Sequence, residues 1–286
     1  MQQKRAWRHA CTLGHSAKKH AARIVMCMLS LPAFRLPLAQ SWSRTWAHTW
    51  ARTWTGVREA LPSQCSVCER WPSQRICNDC AARWATAQTR CQRCALPLAG
   101  GAPVCGACLR MPPAFDAAWT AVDYGHPWAA LLAQFKFQQD PGIAHALAQL
   151  LMRQPEAIAA LASASLIVPV PLSRERLRER GFNQAAQLAR ALARQPGAPA
   201  CATRVLLRPR HTAAQSTLPR RQRLTNLRGA FQVPWPQAAQ IRGQRVLLVD
   251  DIMTTGATLN AAAQALRQAG AAHIFAMVVA RTPRAP

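Results

Sequence analysis

The stretch VLLVDDIMTTGATL (residues 246–259) sets two adjacent aspartates, Asp250 and Asp251, at the end of an apolar run. An aliphatic run with no polar alternation is expected of a strand buried on both faces, as in a parallel sheet. In open α/β sheets, ligands gather outside the carboxyl ends of such strands. Behind the acids, Thr254, Thr255, Gly256, Ala257 and Thr258 read as a tight turn into a helix. N–H groups at a helix start, with threonine hydroxyls beside them, make an anion pocket. Gly256 lets the backbone close around a phosphate with no side chain in the way. The carboxylates suit a sugar diol, whose hydroxyls donate to them, or a hydrated Mg²⁺. Carboxylates, hydroxyls and amides in that order describe a seat for a ribose 5-phosphate.

The rest of the 286-residue chain is strongly basic, with 36 Lys and Arg against 11 Asp and Glu and a formal net charge of +25. That balance attracts polyanions: nucleic acid, phosphorylated metabolites or an anionic membrane surface. Abundant Arg, Ala and Pro with few Lys also fit a GC-rich coding sequence, which would leave part of the surplus as solvated surface. Half of the residues are hydrophobic, as a folded core requires. No apolar run reaches the roughly 18 residues of a membrane span. The start has a short apolar patch but no long apolar region and no clear A-x-A site, so no signal peptide is read. The expected location is cytoplasmic, with any membrane association made through partners.

Three regions follow one another. Residues 1–62 carry Trp42, Trp46, Trp50 and Trp54 at four-residue spacing between basic residues; we read them as a disordered extension and assign no chemistry. Residues 63–115 are rich in Cys and turn formers. Residues 116–286 alternate apolar runs with helix-like patterns, the signature of an α/β sheet. Strands are expected at 119–124, 166–170, 203–207, 245–249 and 272–280. Helices are expected at 128–137, at 143–154 with Pro155 as the stop, at 183–194 and at 258–269. The Arg-rich stretch 208–228 has no clear period and reads as a long loop with a short helical turn, a kind of loop usually functional or mobile.

Eight of the eleven cysteines form four C-x2-C pairs: Cys65/Cys68, Cys77/Cys80, Cys91/Cys94 and Cys105/Cys108. A C-x2-C turn presents two thiolates to one zinc ion, and four such turns can hold two ions. Neighbouring pairs and a cross-braced pairing both satisfy the spacing. The segment is too polar for a substantial core, so metal would supply folding energy on the order of 10 kcal/mol per site. Disulfides are the rival reading, but no export signal supports an oxidising compartment. The expectation is structural zinc. Cys11, Cys27 and Cys201 stand alone and read as incidental.

The stretch at 246–258 resembles the PRPP-binding motif of type I phosphoribosyltransferases: an apolar strand, two acids and a T-x-G-x-T phosphate loop. LLAQFKF at 131–137, VPVPLSRERLRERGFNQAAQLARAL at 168–192 and LRPRHTAAQSTLPRRQRLTNLRGAF at 207–231 resemble the competence protein F (ComF) family over residues 63–283. The resemblance implies a type I phosphoribosyltransferase-like parallel sheet flanked by helices, preceded by a small zinc-ribbon domain. It implies Mg²⁺–PRPP as ligand, and involvement in DNA uptake or in processing incoming single-stranded DNA.

It also implies a pyrophosphate loop at VPVPLSR, where Ser173 and Arg174 would face phosphate oxygens. In RGFNQ, Arg180 is a polyphosphate contact and Asn183 is either a helix cap or a ligand residue. Arg208, Arg210, Gln215, Arg220, Arg221, Arg223 and Arg228 are candidates for closing on pyrophosphate or tracking a DNA backbone. Lys136 either snorkels to solvent or reaches a phosphate. From residue 171 to 245 there are fifteen Arg and two acids, Glu175 and Glu179, which favours an anion surface.

Three readings follow. One is a PRPP-binding competence protein that joins DNA-uptake or helicase machinery. A second is a non-catalytic phosphosugar sensor or adaptor. The third is a nucleobase phosphoribosyltransferase of salvage, in which Asp250 and Asp251 would serve the pentosyl transfer.

Overall fold

The computed structural model describes residues 63–137, 140–209 and 229–283. The tryptophan series at 42–54 and most of the Arg-rich stretch, including Gln215 and Arg220 to Arg228, lie outside the described residues.

The run at 246–249 is the middle of a strand, β3 (Arg245–Met253), and its four side chains are fully buried. β1 (Ala117–Asp123), β2 (Leu166–Pro169) and β4 (His273–Arg281) complete a parallel four-stranded sheet of order β1-β4-β3-β2. Alternate residues of β3 serve opposite faces, as the pleat requires. Leu247 and Val249 join one core with Ile167, Met277 and Val279. Val246 and Leu248 join the other with Val168, Ala276 and Val278. Because both faces are covered, the central strands carry no polar alternation.

The first face is covered by α3 (Trp128–Phe137), α4 (Ile143–Leu151), α5 (Pro155–Ser163) and α7 (Gln184–Leu192). The second is covered by α9 (Ala257–Gln268), with Ile241 from α8 (Trp235–Ile241). Pro155 does stop α4, and it also opens α5 at its first turn, where its missing N–H costs nothing. A short helix that was not expected, α6 (Arg174–Arg180), precedes α7.

The expected strand at 203–207 is a turn instead. Val205 and Leu206 are both buried, and an apolar run that short does not distinguish a strand from a buried loop. Its flanks make single bridges only, Cys201 beside Ile167 and Leu207 opposite Gln232.

The cysteine-rich segment contains α1 (Asn78–Trp84) and α2 (Gly106–Arg110) and sits directly on the sheet and its helices. Ile76 and Ala81 enter the core on the α3 side, and Ala95 enters the opposite core. The Trp128 indole donates to the Trp84 carbonyl at 2.9 Å, and the Ala118 N–H donates to the Gln92 carbonyl at 3.1 Å. Arg90 pairs with Asp123 at 2.6 Å, both partly buried.

Candidate functional site

β3 outruns β2. Its ladder with β2 ends at Val249, while its ladder with β4 continues to Met253. Asp250 and Asp251 therefore lie on an overhang at the carboxyl end of the sheet. The two acids fall on opposite faces of the strand. Asp251 is buried on the α3 side, where Lys136 Nζ lies 3.1 Å from its Oδ2. Lys136 thus points inward rather than snorkelling to solvent, and pairs with an acid that the overhang buries. Asp250 is half-buried, and burial first, then the Asp251 carboxylate, pushes its carboxyl up to about 7. Its Oδ1 accepts the Asp251 N–H at 2.9 Å.

The loop after the acids is tight. Gly256 has φ +80° and ends the turn as the residue before α9. That left-handed conformation, not lack of room, is what demands glycine, since a Cβ there would meet only Met253 atoms at ordinary contact distance. The Thr255 hydroxyl accepts the Ala257 N–H at 3.3 Å. Ala257 is buried and starts α9, whose first bond runs from the Asn260 N–H to the Gly256 carbonyl. Thr254 is exposed, and Thr258 lies in the first helical turn.

The RGFNQ segment builds the wall beside Lys136. Gly181 caps α6 at φ +75°. Phe182 packs on Phe135 with ring centroids 5.9 Å apart. Asn183 caps α7 by accepting the Ala186 N–H, and it donates to the Val170 carbonyl at 3.0 Å; its role is the cap. Gln184, 2% exposed, accepts from Arg180 at 3.2 Å and donates to the Lys136 carbonyl at 3.3 Å. Arg180 also lies over the Phe137 ring.

Ser173 is buried and caps α6 by accepting the Arg176 N–H. The expectation that it faces phosphate oxygens is replaced by this cap, because a serine before a helix start satisfies an otherwise orphaned amide. Arg174 is exposed at the start of α6, while Arg176, two positions further in, is half-buried. Burial and then Arg180 hold the Arg176 guanidinium below its ordinary value. Burial and then Arg176 do the same to Arg208, against the pull of Asp250. Arg208 is thus acted on by both Arg176 and Asp250, and Arg176 by Arg180.

Two features here were missed in the sequence reading. Arg176 was hidden in a charge-rich run without period. Arg281, 6% exposed, closes β4; its signal was a lone cation at the end of the apolar run IFAMVVA.

The eight paired cysteines form two compact groups, Cys65, Cys68, Cys77 and Cys80, and Cys91, Cys94, Cys105 and Cys108. Within each group the sulfur atoms all lie within 4.8 Å of one another. This is the neighbouring-pair partition. Cys65 and Cys80 sulfurs are 3.9 Å apart, Cys68 and Cys77 are 3.7 Å apart, and Cys94 and Cys105 are 3.8 Å apart. A zinc–sulfur bond of about 2.3 Å in a tetrahedron gives edges of about 3.8 Å, whereas a disulfide would need about 2.05 Å. Each group can hold one metal ion.

The two groups are built alike. The residue after the first C-x2-C is left-handed in both, Glu69 at φ 61° and Ala95 at φ 54°. The third cysteine precedes a helix in both, and its N–H donates to the first cysteine sulfur at 3.4 Å (Cys77 to Cys65) and 3.3 Å (Cys105 to Cys91). Such N–H···S bonds favour thiolates. Against the upward push of burial, backbone amides bring Cys65 down to about 6, while burial and its neighbours push Cys80 up.

The profile of the Phosphoribosyl transferase domain family matches residues 177–285, which contain β3, the acids and the loop. DNA utilization protein YhgH of Salmonella typhimurium (strain LT2) is 36% identical over 225 residues, covering 76% of this chain and 90% of that protein. Competence protein F of Haemophilus influenzae is 34% identical over 194 residues, covering 67% and 84%. The chain belongs to the ComF family. Competence protein ComFC of Bacillus subtilis (strain 168) is 39% identical over 107 residues, covering 37% and 40%. The ComF chain therefore joins a phosphoribosyltransferase-like parallel sheet to a cysteine-rich segment with two metal-competent groups. Among its described residues no helix is long and apolar enough to cross a membrane.

Proposed function

We propose that this ComF-family protein binds Mg²⁺–PRPP at the overhanging end of β3 and acts in the uptake or processing of incoming single-stranded DNA. The observation that carries the proposal is the overhang: two carboxylates run directly into a left-handed glycine and a helix start, with the Arg208 charge near enough to act on Asp250. Asp250 and Asp251 hold the ribose hydroxyls. The Thr254–Thr258 loop holds the 5-phosphate. Arg176, Arg180 and Arg208, with Arg174 at the rim, take the pyrophosphate. The two hard carboxylates also suit a Mg²⁺ ion, which would neutralise pyrophosphate charge. The cysteine groups hold two structural zinc ions. If pentosyl transfer follows, a nucleophile bonds to the anomeric carbon as the carbon–oxygen bond to pyrophosphate breaks. The protein's part is positioning and charge stabilisation. The relatives' names, DNA utilization and competence protein, support the DNA setting.

Three measurements test the proposal. Calorimetry with Mg²⁺–PRPP should give saturable heat at one site per chain; no heat overturns the ligand assignment. Pyrophosphate release from labelled PRPP with a panel of nucleobases separates an enzyme from a sensor. A single-stranded DNA titration at several salt concentrations should lose affinity steeply. With about four backbone phosphates neutralised, a fourfold rise in salt weakens binding about fiftyfold. A flat salt response removes DNA from the proposal.

A further inference from the structure

Arg281 is the last residue of β4 and is nearly fully buried. Asp123, its register partner on β1, is taken by Arg90. The Arg281 guanidinium instead reaches four main-chain carbonyls. Nε donates to Cys94 at 2.9 Å, and Nη1 donates to Met253 at 3.0 Å, to Thr282 at 2.7 Å and to Thr254. Two of these belong to the loop after the acids, and one belongs to the second cysteine group. The Met253 carbonyl also accepts the Thr282 N–H at 3.0 Å.

This has a geometric effect. In a trans peptide the carbonyl and the following N–H point in opposite directions. With the Met253 and Thr254 carbonyls drawn onto Arg281, the N–H groups of Thr254 and Thr255 are aimed away from it. The phosphate reading puts the anion on that side, with the guanidinium charge behind the N–H groups. The Cys94 carbonyl fixes the other end of the same side chain. Its backbone is held in turn: Arg90 Nη1 donates to the Ala95 carbonyl at 3.2 Å while gripping Asp123. The first cysteine group makes no such link among the described contacts. It packs toward the α3–α5 layer through Ile76, Ala81, an Arg75–Asp140 pair and an Arg153–Asn78 bond.

We propose that Arg281 is a positioning residue that sets the peptide planes of the phosphate loop against the second cysteine group. This rests on the loop's reading as a phosphate seat, but its first test does not need a ligand. Amide hydrogen exchange of the ligand-free full chain, zinc-loaded, is compared for wild type, Arg281→Lys and Arg281→Gln. Lysine keeps the charge and glutamine keeps N–H donors; neither spans four carbonyls. Exchange of the loop's bonded amides, Ala257 N–H on the Thr255 hydroxyl and Thr282 N–H on the Met253 carbonyl, should rise about tenfold in both variants, with β2 and α4 protected as in wild type. Mg²⁺–PRPP affinity should fall by about ten- to a hundredfold, with zinc content unchanged. Unchanged loop exchange in a folded variant overturns the proposal. A third readout uses wild type alone: the Arg281 side-chain N–H protons should exchange at least about tenfold more slowly than those of exposed Arg174. Fast exchange there overturns the proposal even if both variants fail to fold. If wild type gives no heat with Mg²⁺–PRPP, the phosphate reading fails, and the exchange arms still decide the role of Arg281.

Discussion

Asp250→Asn weakens Mg²⁺–PRPP binding and, at pH 8, makes the ligand-free protein more stable. The two effects have opposite signs because one carboxylate does two jobs. As a ligand group, an ionised Asp250 accepts hydroxyl protons. Hydrogen bonds to charged groups contribute roughly 1.5–3 kcal/mol, so affinity should drop about ten- to a hundredfold. As part of the fold, it is a half-buried acid beside a second one, with its carboxyl raised to about 7. A raised acid holds its proton more tightly in the folded chain. Its stabilising share is complete below the unfolded value near 3.9 and is lost as pH climbs through about 7. Above that pH the ionised side chain costs stability, and asparagine removes the cost. Melting curves of wild type and Asp250→Asn should therefore diverge from pH 5 to pH 8, the variant higher. Calorimetry in the same window adds the binding sign. Wild-type affinity should fall about tenfold from pH 8 to pH 6, since the proton must leave first, while Asp250→Asn should be flat. A wild-type profile without pH dependence would refute the assignment. Asp251→Asn should differ, because it strands the partly buried Lys136: losing one partner of a buried pair costs up to about 3–5 kcal/mol, so it lowers the melting temperature near neutral pH.

Removing metal should have the largest effect on stability. Each cysteine group is expected to supply on the order of 10 kcal/mol, comparable to the whole stability of an ordinary domain. Cys77→Ser removes one sulfur from the first group, while the serine hydroxyl can still accept the Cys80 N–H at the start of α1, so the effect reads the metal ligand rather than the cap. Its neighbour Ile76 belongs to the core under α3, so the damage reaches the sheet. Wild type should carry two zinc ions per chain and Cys77→Ser one, with the variant melting far below wild type or failing to fold. A chelator should reproduce this in wild type. Melting that ignores both chelator and substitution would mean the sulfur groups stabilise the fold without metal.

Much of the site was legible because its signals are local. The run at 246–249 announces a strand covered on both sides, and Gly256 announces a left-handed turn. The cysteine pairs announced metal, but only the fold separates neighbouring pairs from a cross-braced arrangement. What stayed hidden depends on distance in the chain or on missing periodicity. Lys136 and Asp251 are 115 positions apart, and no spacing rule joins them. RERLRER buries none of its residues, so α6 has no apolar stripe to betray it, and Ser173 passed for a ligand residue rather than a cap. The stretch at 203–207 misled because buried turns and short strands share a composition.

The seating of the cysteine-rich segment has a consequence for how this chain can be divided. Cutting before Asp116 would take away the acceptor of the Trp128 indole, the partner of Asp123 and the carbonyl opposite Ala118. It would also bare the apolar surface that Ile76, Ala81 and Ala95 cover. The sulfur-bearing piece is therefore not a portable cassette, and a phosphoribosyltransferase-like half prepared without it should precipitate rather than stand as a minimal domain.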